Sequence, residues 1–326
     1  MTFLDSQTRR SSLVALCALA LGACANPQNG RVDEGRSPAT RVPVALAFKQ
    51  EIGGEIFGRR LSRPITPRRN YRGDVIFIDQ GNQRLVQLDS LLRPIAVRGG
   101  VGSQQGQFQR PVSLALDDSY VYVADLDLDH IQRFDHNLNP VDRFEFQDPI
   151  DALRLGRPGG LVVTADRSLW VSDIDRERIT IFTAFLADTL FAADYSSGGL
   201  RLDEPGAMTS FGSRFVAVCD SKRGRIAILD LNGAEHGVIA EGELRTPSDI
   251  AAVGDLFWVT DSGRGEVLCL AGDGTALYRS GQQSAGDEFR LREPAGVCLL
   301  NDRALVVADT GHDRLLVYEI LFLDGN

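Results

Sequence analysis

Lysine is almost missing from this sequence: Lys49 and Lys222 are the only two among 35 basic residues, and the other 33 are arginine. The basic residues are outnumbered by 44 acidic ones, for a net charge of −9. That balance argues against a nucleic-acid partner, since a phosphate backbone demands a positive footprint. Histidine is scarce too. His130, His136, His236 and His312 stand in turns or just after expected strands, whereas zinc requires three or four converging ligands. No serine lies in a G-x-S-x-G elbow, and neither a phosphate loop nor a dinucleotide fingerprint is present.

Cysteine is sparse, and the five residues divide by position. Cys17 and Cys24 lie near the N-terminus; Cys219, Cys269 and Cys298 sit among apolar residues in expected strands. Three thiols cannot all pair. They read as buried small hydrophobes, with one disulfide left open as an alternative in an oxidising compartment.

The first residues are an address. Arg9 and Arg10 supply a positive start, Leu13–Leu21 is apolar, and Leu21-Gly22-Ala23-Cys24 follows. The apolar run is too short to span a bilayer as a helix. The four residues resemble the lipobox of bacterial lipoproteins. The resemblance implies cleavage before Cys24 and a diacylglycerol on its thiol. Loss of residues 1–23 removes Arg9, Arg10 and Asp5 and takes the net charge from −9 to −10. Ala25, not aspartate, follows the cysteine; in enteric lipoproteins that favours the outer membrane. The expected location is the cell envelope, on the periplasmic face of the outer membrane. Residues 24–41 carry Pro, Gly, Asn, Gln and charge without apolar periodicity, as a flexible tether does.

Residues 42–326 repeat. An apolar strand ending in aspartate recurs six times, as in Val75-Ile76-Phe77-Ile78-Asp79 and Leu256-Phe257-Trp258-Val259-Thr260-Asp261. The aspartates are Asp79, Asp125, Asp173, Asp220, Asp261 and Asp309, and only the step from Asp220 to Asp261 is noticeably shorter than the others. Five positions beyond them stand Arg84, His130, Arg178, Arg225, Glu266 and Arg314, each opening another strand. A proline precedes each aspartate at a near-constant offset: Pro64, Pro111, Pro158, Pro205, Pro247 and Pro294. A fixed period of this length marks a repeat architecture. Runs of β-branched and aromatic residues bounded by turn residues read as strands buried on both faces. Each aspartate can accept hydrogen bonds from backbone N–H groups of the turn after it.

The pattern resembles the NHL repeat, with its proline-led inner strand, apolar strand ending in Asp, and Asn/Arg turn. The resemblance implies an all-β, six-bladed β-propeller. His130 and Glu266 depart from it at the arginine position. Only Asn82 keeps the asparagine; Leu128, Arg176, Arg223, Arg264 and His312 replace it elsewhere. Fourth strands are expected at Pro94–Arg98, Val141–Phe146, Thr189–Ala193, Gly237–Ala240 and Ala276–Arg279. The sixth copy ends without room for one, and Pro43–Lys49 is an unattached strand. It is expected to complete the last blade and close the ring, which removes exposed strand edges.

Two places are candidates for chemistry. The residue two beyond each proline gives Thr66, Ser113, Gly160, Ala207, Asp249 and Gly296, expected to line an axial channel. Thr66, Ser113 and Asp249 are its only polar members, too few for a hard cation that takes six to eight oxygens. Glu204 and Glu293, just before prolines, are expected as solvated rim charge. The second place is a rim of Arg84, Arg176, Arg178, Arg223, Arg225, Arg264 and Arg314, where arginine forks can hold carboxylate or phosphate. Neither place implies a catalytic residue, a metal or a cofactor. The expectation is a non-catalytic binding or scaffold module, lipid-anchored at Cys24, with an envelope protein or glycan as partner. The alternative is a calcium-dependent propeller hydrolase, lactonase or lyase that uses Asp249 as a ligand.

Overall fold

The computed structural model describes residues 42–128, 130–145, 156–182, 190–193, 201–280 and 290–323. The expected leader and tether, with Cys24, lie outside the described residues, as do Phe146 and Thr189 at the ends of two expected strands. No helix among the described residues is long and apolar enough to cross a membrane.

Among the described residues, six four-stranded antiparallel sheets follow one another along the chain. Blades 1 to 5 each run straight from inner to outer strand. In blade 1 these are Pro64–Arg69, Val75–Asp79, Arg84–Leu88 and Pro94–Gly99. Blade 6 is built from both ends of the fold: Val297–Asn301, Ala304–Asp309 and Arg314–Phe322 receive Pro43–Ile52 as the outer strand. The expected ring closure is therefore present, and its strand continues past Lys49 to Ile52. The other outer strands lie close to expectation, at Pro140–Glu145, Leu190–Ala193, Glu235–Ile239 and Ala276–Arg279. A short hairpin, Glu55–Ile56 with Arg59–Arg60, was not expected from the sequence. Phe57 and Gly58 both have positive φ there, as a two-residue hairpin loop requires.

The alternation within each strand explains the packing. Successive side chains point to opposite sheet faces, and each sheet face meets a neighbouring blade. In blade 1, Phe77 packs with Val306 and Leu315 of blade 6, while Ile76 and Ile78 pack with Leu114 and Val123 of blade 2. Six apolar clusters fill the six junctions in this way. Cys219, Cys269 and Cys298 are buried free thiols. Burial pushes the thiols of Cys269 and Cys298 up to about 12.

Polar links cross the same six junctions near the axis. Gln80 donates to the Pro111 carbonyl (3.0 Å), Leu161 N–H to Ser113 Oγ (3.0 Å) and Ser172 Oγ to the Gly206 carbonyl (3.0 Å). Ser221, Ser248 and Thr310 hydroxyls donate to the carbonyls of Pro247 (2.8 Å), Pro294 (2.6 Å) and Pro64 (2.8 Å). Each junction thus carries a side-chain hydrogen bond laid over an apolar seam.

Candidate functional site

The pairing register sorts the loops onto two faces. In blades 1 to 5 the inner strand begins opposite the aspartate that ends the second strand, as in Pro64 with Asp79 and Pro205 with Asp220, and in blade 6 it begins two residues from that level, with Val297 opposite Val307. The third strand starts beside the same aspartate, as in Asp79 with Arg84. One face of the propeller therefore carries all six aspartates, the arginine rim and the blade-to-blade connections; we call it the aspartate face. The opposite face carries the turns between first and second and between third and fourth strands, and is called the turn face.

Asp79, Asp125, Asp173, Asp220, Asp261 and Asp309 are all fully buried. Their main backbone donors are not those expected. They come from the connection leading into the blade, upstream of the inner strand. Ser62 N–H donates to Asp79 (2.8 Å), Gln109 to Asp125 (2.8 Å) and Gly156 to Asp173 (2.8 Å). Asp203 donates to Asp220 (2.8 Å), Arg245 to Asp261 (2.7 Å) and Arg292 to Asp309 (2.7 Å). Donors in the following turn, such as the N–H groups of Asp127, Arg176 and Arg264, occur in blades 2, 3 and 5. The aspartate is thus a clasp between the connection and the second strand. Its carboxylate can take further donors, and a buried carboxylate needs them.

The rim arginines supply those donors. The Nε atoms of Arg84, Arg225 and Arg314 donate to Asp79 (2.7 Å), Asp220 (2.8 Å) and Asp309 (2.8 Å). Arg178 Nε lies 3.8 Å from Asp173. Arg176, Arg223 and Arg264 reach back to the aspartates of their own blades at 3.4, 3.9 and 3.8 Å. All seven rim arginines lie on one face, each against its own blade's aspartate. Blade 5 inverts the pattern: Glu266 stands at the arginine position and receives Arg279 from the outer strand (2.7 Å). His130 faces Asp125 in register, and His312 Nδ1 lies 2.9 Å from Asp309. Glu204 and Glu293 are about half exposed beside Lys222 (4.0 Å) and Arg63 (3.1 Å), as solvated rim charge.

The column expected to line a channel is buried in all six blades. In a blade the sheet faces meet neighbours, so it is the free edge of the inner strand that faces the axis. That edge has unpaired N–H groups, which need acceptors. Ser113 and Asp249 occupy equivalent positions and do equivalent jobs. Ser113 Oγ accepts the N–H of Leu161 in blade 3, and Asp249 Oδ2 accepts the N–H of Val297 in blade 6 (3.0 Å). The small members allow backbones to touch. A Cβ on Gly160 would lie 2.2 Å from the Gly206 carbonyl oxygen, and one on Gly296 2.3 Å from Pro67 Cδ.

Thr66 differs. Its φ is +45°, a strained conformation for a β-branched residue, and its buried Oγ1 lacks a partner. The inner strand of blade 1 bulges here, with pairing irregular between Ile65 and Arg68. The bulge redirects Arg68 toward blade 5. There its Nη1 and Nη2 donate to Asp249 Oδ2 and Oδ1, both at 2.7 Å. Asp249 is fully buried and the Arg68 side chain 18% exposed. Burial works against the guanidinium's charge, but Asp249 outweighs it and raises the Arg68 pKa. Asp249 Oδ1 also accepts the N–H of Ile250 (3.0 Å). Four donors therefore saturate the only carboxylate of the column. Sequence reasoning missed Arg68, although Pro67 inside a repeat-bearing strand was the available signal.

A cavity of about 660 Å³ opens on the turn face at blades 2, 3 and 4, lined among others by Asp117, Tyr120, Arg133, Thr164 and Phe211. Some of its polar groups are already engaged. Tyr122 donates to Asp117 (2.8 Å), and the Arg133 guanidinium pairs with Asp142 while stacking 4.3 Å over the Tyr120 ring. Burial, then Asp117, raises the Tyr122 hydroxyl well above the ordinary phenol range. Among the described residues no three His, Cys, Asp or Glu side chains converge as a metal site.

Comparison with known proteins agrees with this architecture. The NHL repeat family model matches residues 291–318, which run from the connection into blade 6 through most of its third strand. Blade 6 is thus the part of the chain that is similar to an NHL repeat. No curated protein sequence matches the chain significantly. Among solved structures, a streptogramin B lyase is similar over 83% of this chain and 97% of its own, with 14% identity and a TM-score of 0.56. A catalytically inactive virginiamycin B lyase from Staphylococcus aureus, solved with quinupristin, is similar over 86% of this chain and 96% of its own (13% identity, TM-score 0.56). A protein of unknown function from Bacteroides thetaiotaomicron gives a TM-score of 0.63 at 12% identity, over 84% of this chain and 73% of its own. At these identities the likeness is one of fold. Asp309, inside the matched segment, has a counterpart in each of the other five blades, the clasp described above.

Proposed function

We propose that this chain is a non-catalytic binding or scaffold module, held on a membrane by a lipid at Cys24 and presenting its propeller to a protein or glycan of the cell envelope. The observation that carries the reading is the saturation of Asp249. An axial calcium site built on that carboxylate would first have to break two 2.7 Å hydrogen bonds to Arg68 and release the N–H groups of Ile250 and Val297. The rim supports the same reading, since each arginine is first committed to its own blade. What remains available to a partner is a rigid surface with partly exposed Arg176, Arg223 and Arg264 on one face and the aromatic cavity on the other. The two lyases share the fold, and nothing in the axial column of this chain supplies the converging oxygens that a bound calcium requires.

The anchoring half of the proposal is tested by fractionating cells that make the full chain or its Cys24→Ala variant. The full chain is expected in the membrane pellet, with a mass that shows cleavage before Cys24 and an added diacylglycerol. The variant is expected in the soluble fraction. Equal partition of the two chains would count against the anchor.

A further inference from the structure

The chain enters the fold at a particular place. Pro43 pairs with Phe322 on the turn face, and the strand then runs toward the aspartate face, where Ile52 pairs with Leu315. Val42 and Val44 at that entry are 37% and 43% exposed, and Leu321 and Leu323 beside them are 41% and 62% exposed. Leu323 N–H donates to the Val42 carbonyl (3.1 Å), so the four belong to one surface. On the adjoining blade 1, the turn face adds Tyr71 (61%), Leu91 (67%) and Ile95 (49%). Leu92, next to Leu91, packs in the apolar cluster shared by blades 6 and 1.

This distribution is lopsided. All twelve exposed large apolar side chains among the described residues lie on blades 6, 1 and 2 or the connections between them, and seven are those just named. Large apolar side chains left exposed on one side of one face mark an interaction site. Its occupant is indicated by the chain itself. Only the short tether separates Cys24 from Val42. A flexible segment of that length has an r.m.s. span of roughly 20–25 Å, comparable to the thickness of a blade whose strands of about six residues rise about 3.3 Å each.

We infer that the turn face of blades 6 and 1 lies against the bilayer, with Val42, Val44, Leu91, Leu321 and Leu323 dipping into the headgroup boundary, so that the arginine-bearing aspartate face points into the aqueous compartment. The inference rests on the proposed lipid at Cys24. A diacylglycerol brings two acyl chains, enough to hold the chain on a bilayer; the apolar surface adds a second contact that fixes which face of the domain meets the membrane. Orientation follows, because the patch is confined to one face and one side of the ring.

The test uses the full lipidated chain in vesicles of phosphatidylethanolamine and phosphatidylglycerol that carry a nitroxide on the lipid headgroup. A fluorophore is attached at Leu91→Cys on the turn face or at Val101→Cys on the aspartate side of the same blade, 67% and 71% exposed respectively; the native thiols at 219, 269 and 298 are buried. Quenching is expected to be several-fold stronger at position 91 than at 101, and the difference is expected to vanish when Leu321→Ser and Leu323→Ser are added. Equal quenching at both positions, with the diacylglycerol on Cys24 verified by mass, would overturn the orientation and leave the anchor standing. A label at 91 shielded from water but not quenched by lipid would assign the patch to another protein and overturn the inference. A full chain purified from membranes whose mass shows no diacylglycerol on Cys24 would overturn the anchor and the orientation together.

Discussion

Arg68→Ala is expected to destabilise the propeller by about 3–5 kcal/mol, the range for removing one partner of a buried ion pair. The cause is specific. Asp249 is fully buried, and without Arg68 its carboxylate keeps only the N–H groups of Ile250 and Val297. Asp249→Ala is expected to cost a comparable amount by another route. It strands the guanidinium and also leaves the inner-edge N–H of Val297 without an acceptor, a loss of about 1–3 kcal/mol by itself. The pair Arg68→Met with Asp249→Asn removes both charges and keeps an oxygen for Val297. It should be more stable than either single alanine variant, since apolar or neutral replacement of a whole buried pair is often tolerated. Denaturant unfolding followed by the fluorescence of Trp170 and Trp258, both buried, measures all three. Additive losses across the series would show that the two side chains are not coupled.

Deleting residues 43–52 is expected to be the most damaging change outside the axis. The strand pairs along nearly the whole length of Arg314–Phe322 and buries Leu46 and Ile52. Two such side chains are worth about 1.5–3 kcal/mol each, which in a domain of this size corresponds to a fall in Tm on the order of 10 °C or more. The loss of Glu51 also frees Arg314 from its second partner (2.8 Å). Worse, the third strand of blade 6 becomes an open edge, ready to pair with another chain. Size-exclusion chromatography should show aggregates or oligomers. A monomer with unchanged Tm would mean that the ring closes by some other contact.

The sequence made the architecture readable because every blade needs the same clasp. A buried carboxylate can accept an N–H from the connection and further donors from its own blade at the same time, so Asp79 and its five equivalents stand out in register, and in blades 1 to 5 the prolines mark where the inner strand begins. Strand Pro43–Ile52 was legible for the complementary reason: the last repeat lacked an outer strand and the first residues of the fold had no partner. The site was harder to read. Residues two beyond the prolines were expected to face a channel, but the sheet faces meet neighbouring blades, so Ser113 and Asp249 serve as acceptors for inner-edge amides. Arg68 was missed because it depends on a bulge at Thr66 and Pro67 that the repeat pattern does not encode and that only Pro67 marks. The hairpin at 55–60 escaped notice because Phe57 takes a positive φ without the usual Asn or Asp.

The arginine rim combines charge spent inside the fold with charge left partly exposed. Arg84, Arg225 and Arg314 are hydrogen-bonded to buried carboxylates at 2.7 to 2.8 Å, a geometry that satisfies the clasp before it offers anything to a ligand. Arg176, Arg223 and Arg264 sit further from theirs and are more exposed, and they are the members of the rim through which a partner would be met.

Metal content tests the central claim most directly, namely that the axial carboxylate is spent on holding blades together. The full chain, purified without chelator, dialysed against metal-free buffer and analysed by inductively coupled plasma mass spectrometry, is expected to retain calcium and zinc far below one ion per chain. Retention of one tightly held ion per chain, released on substitution of Asp249, would contradict the account and place an enzyme's cation on the propeller axis.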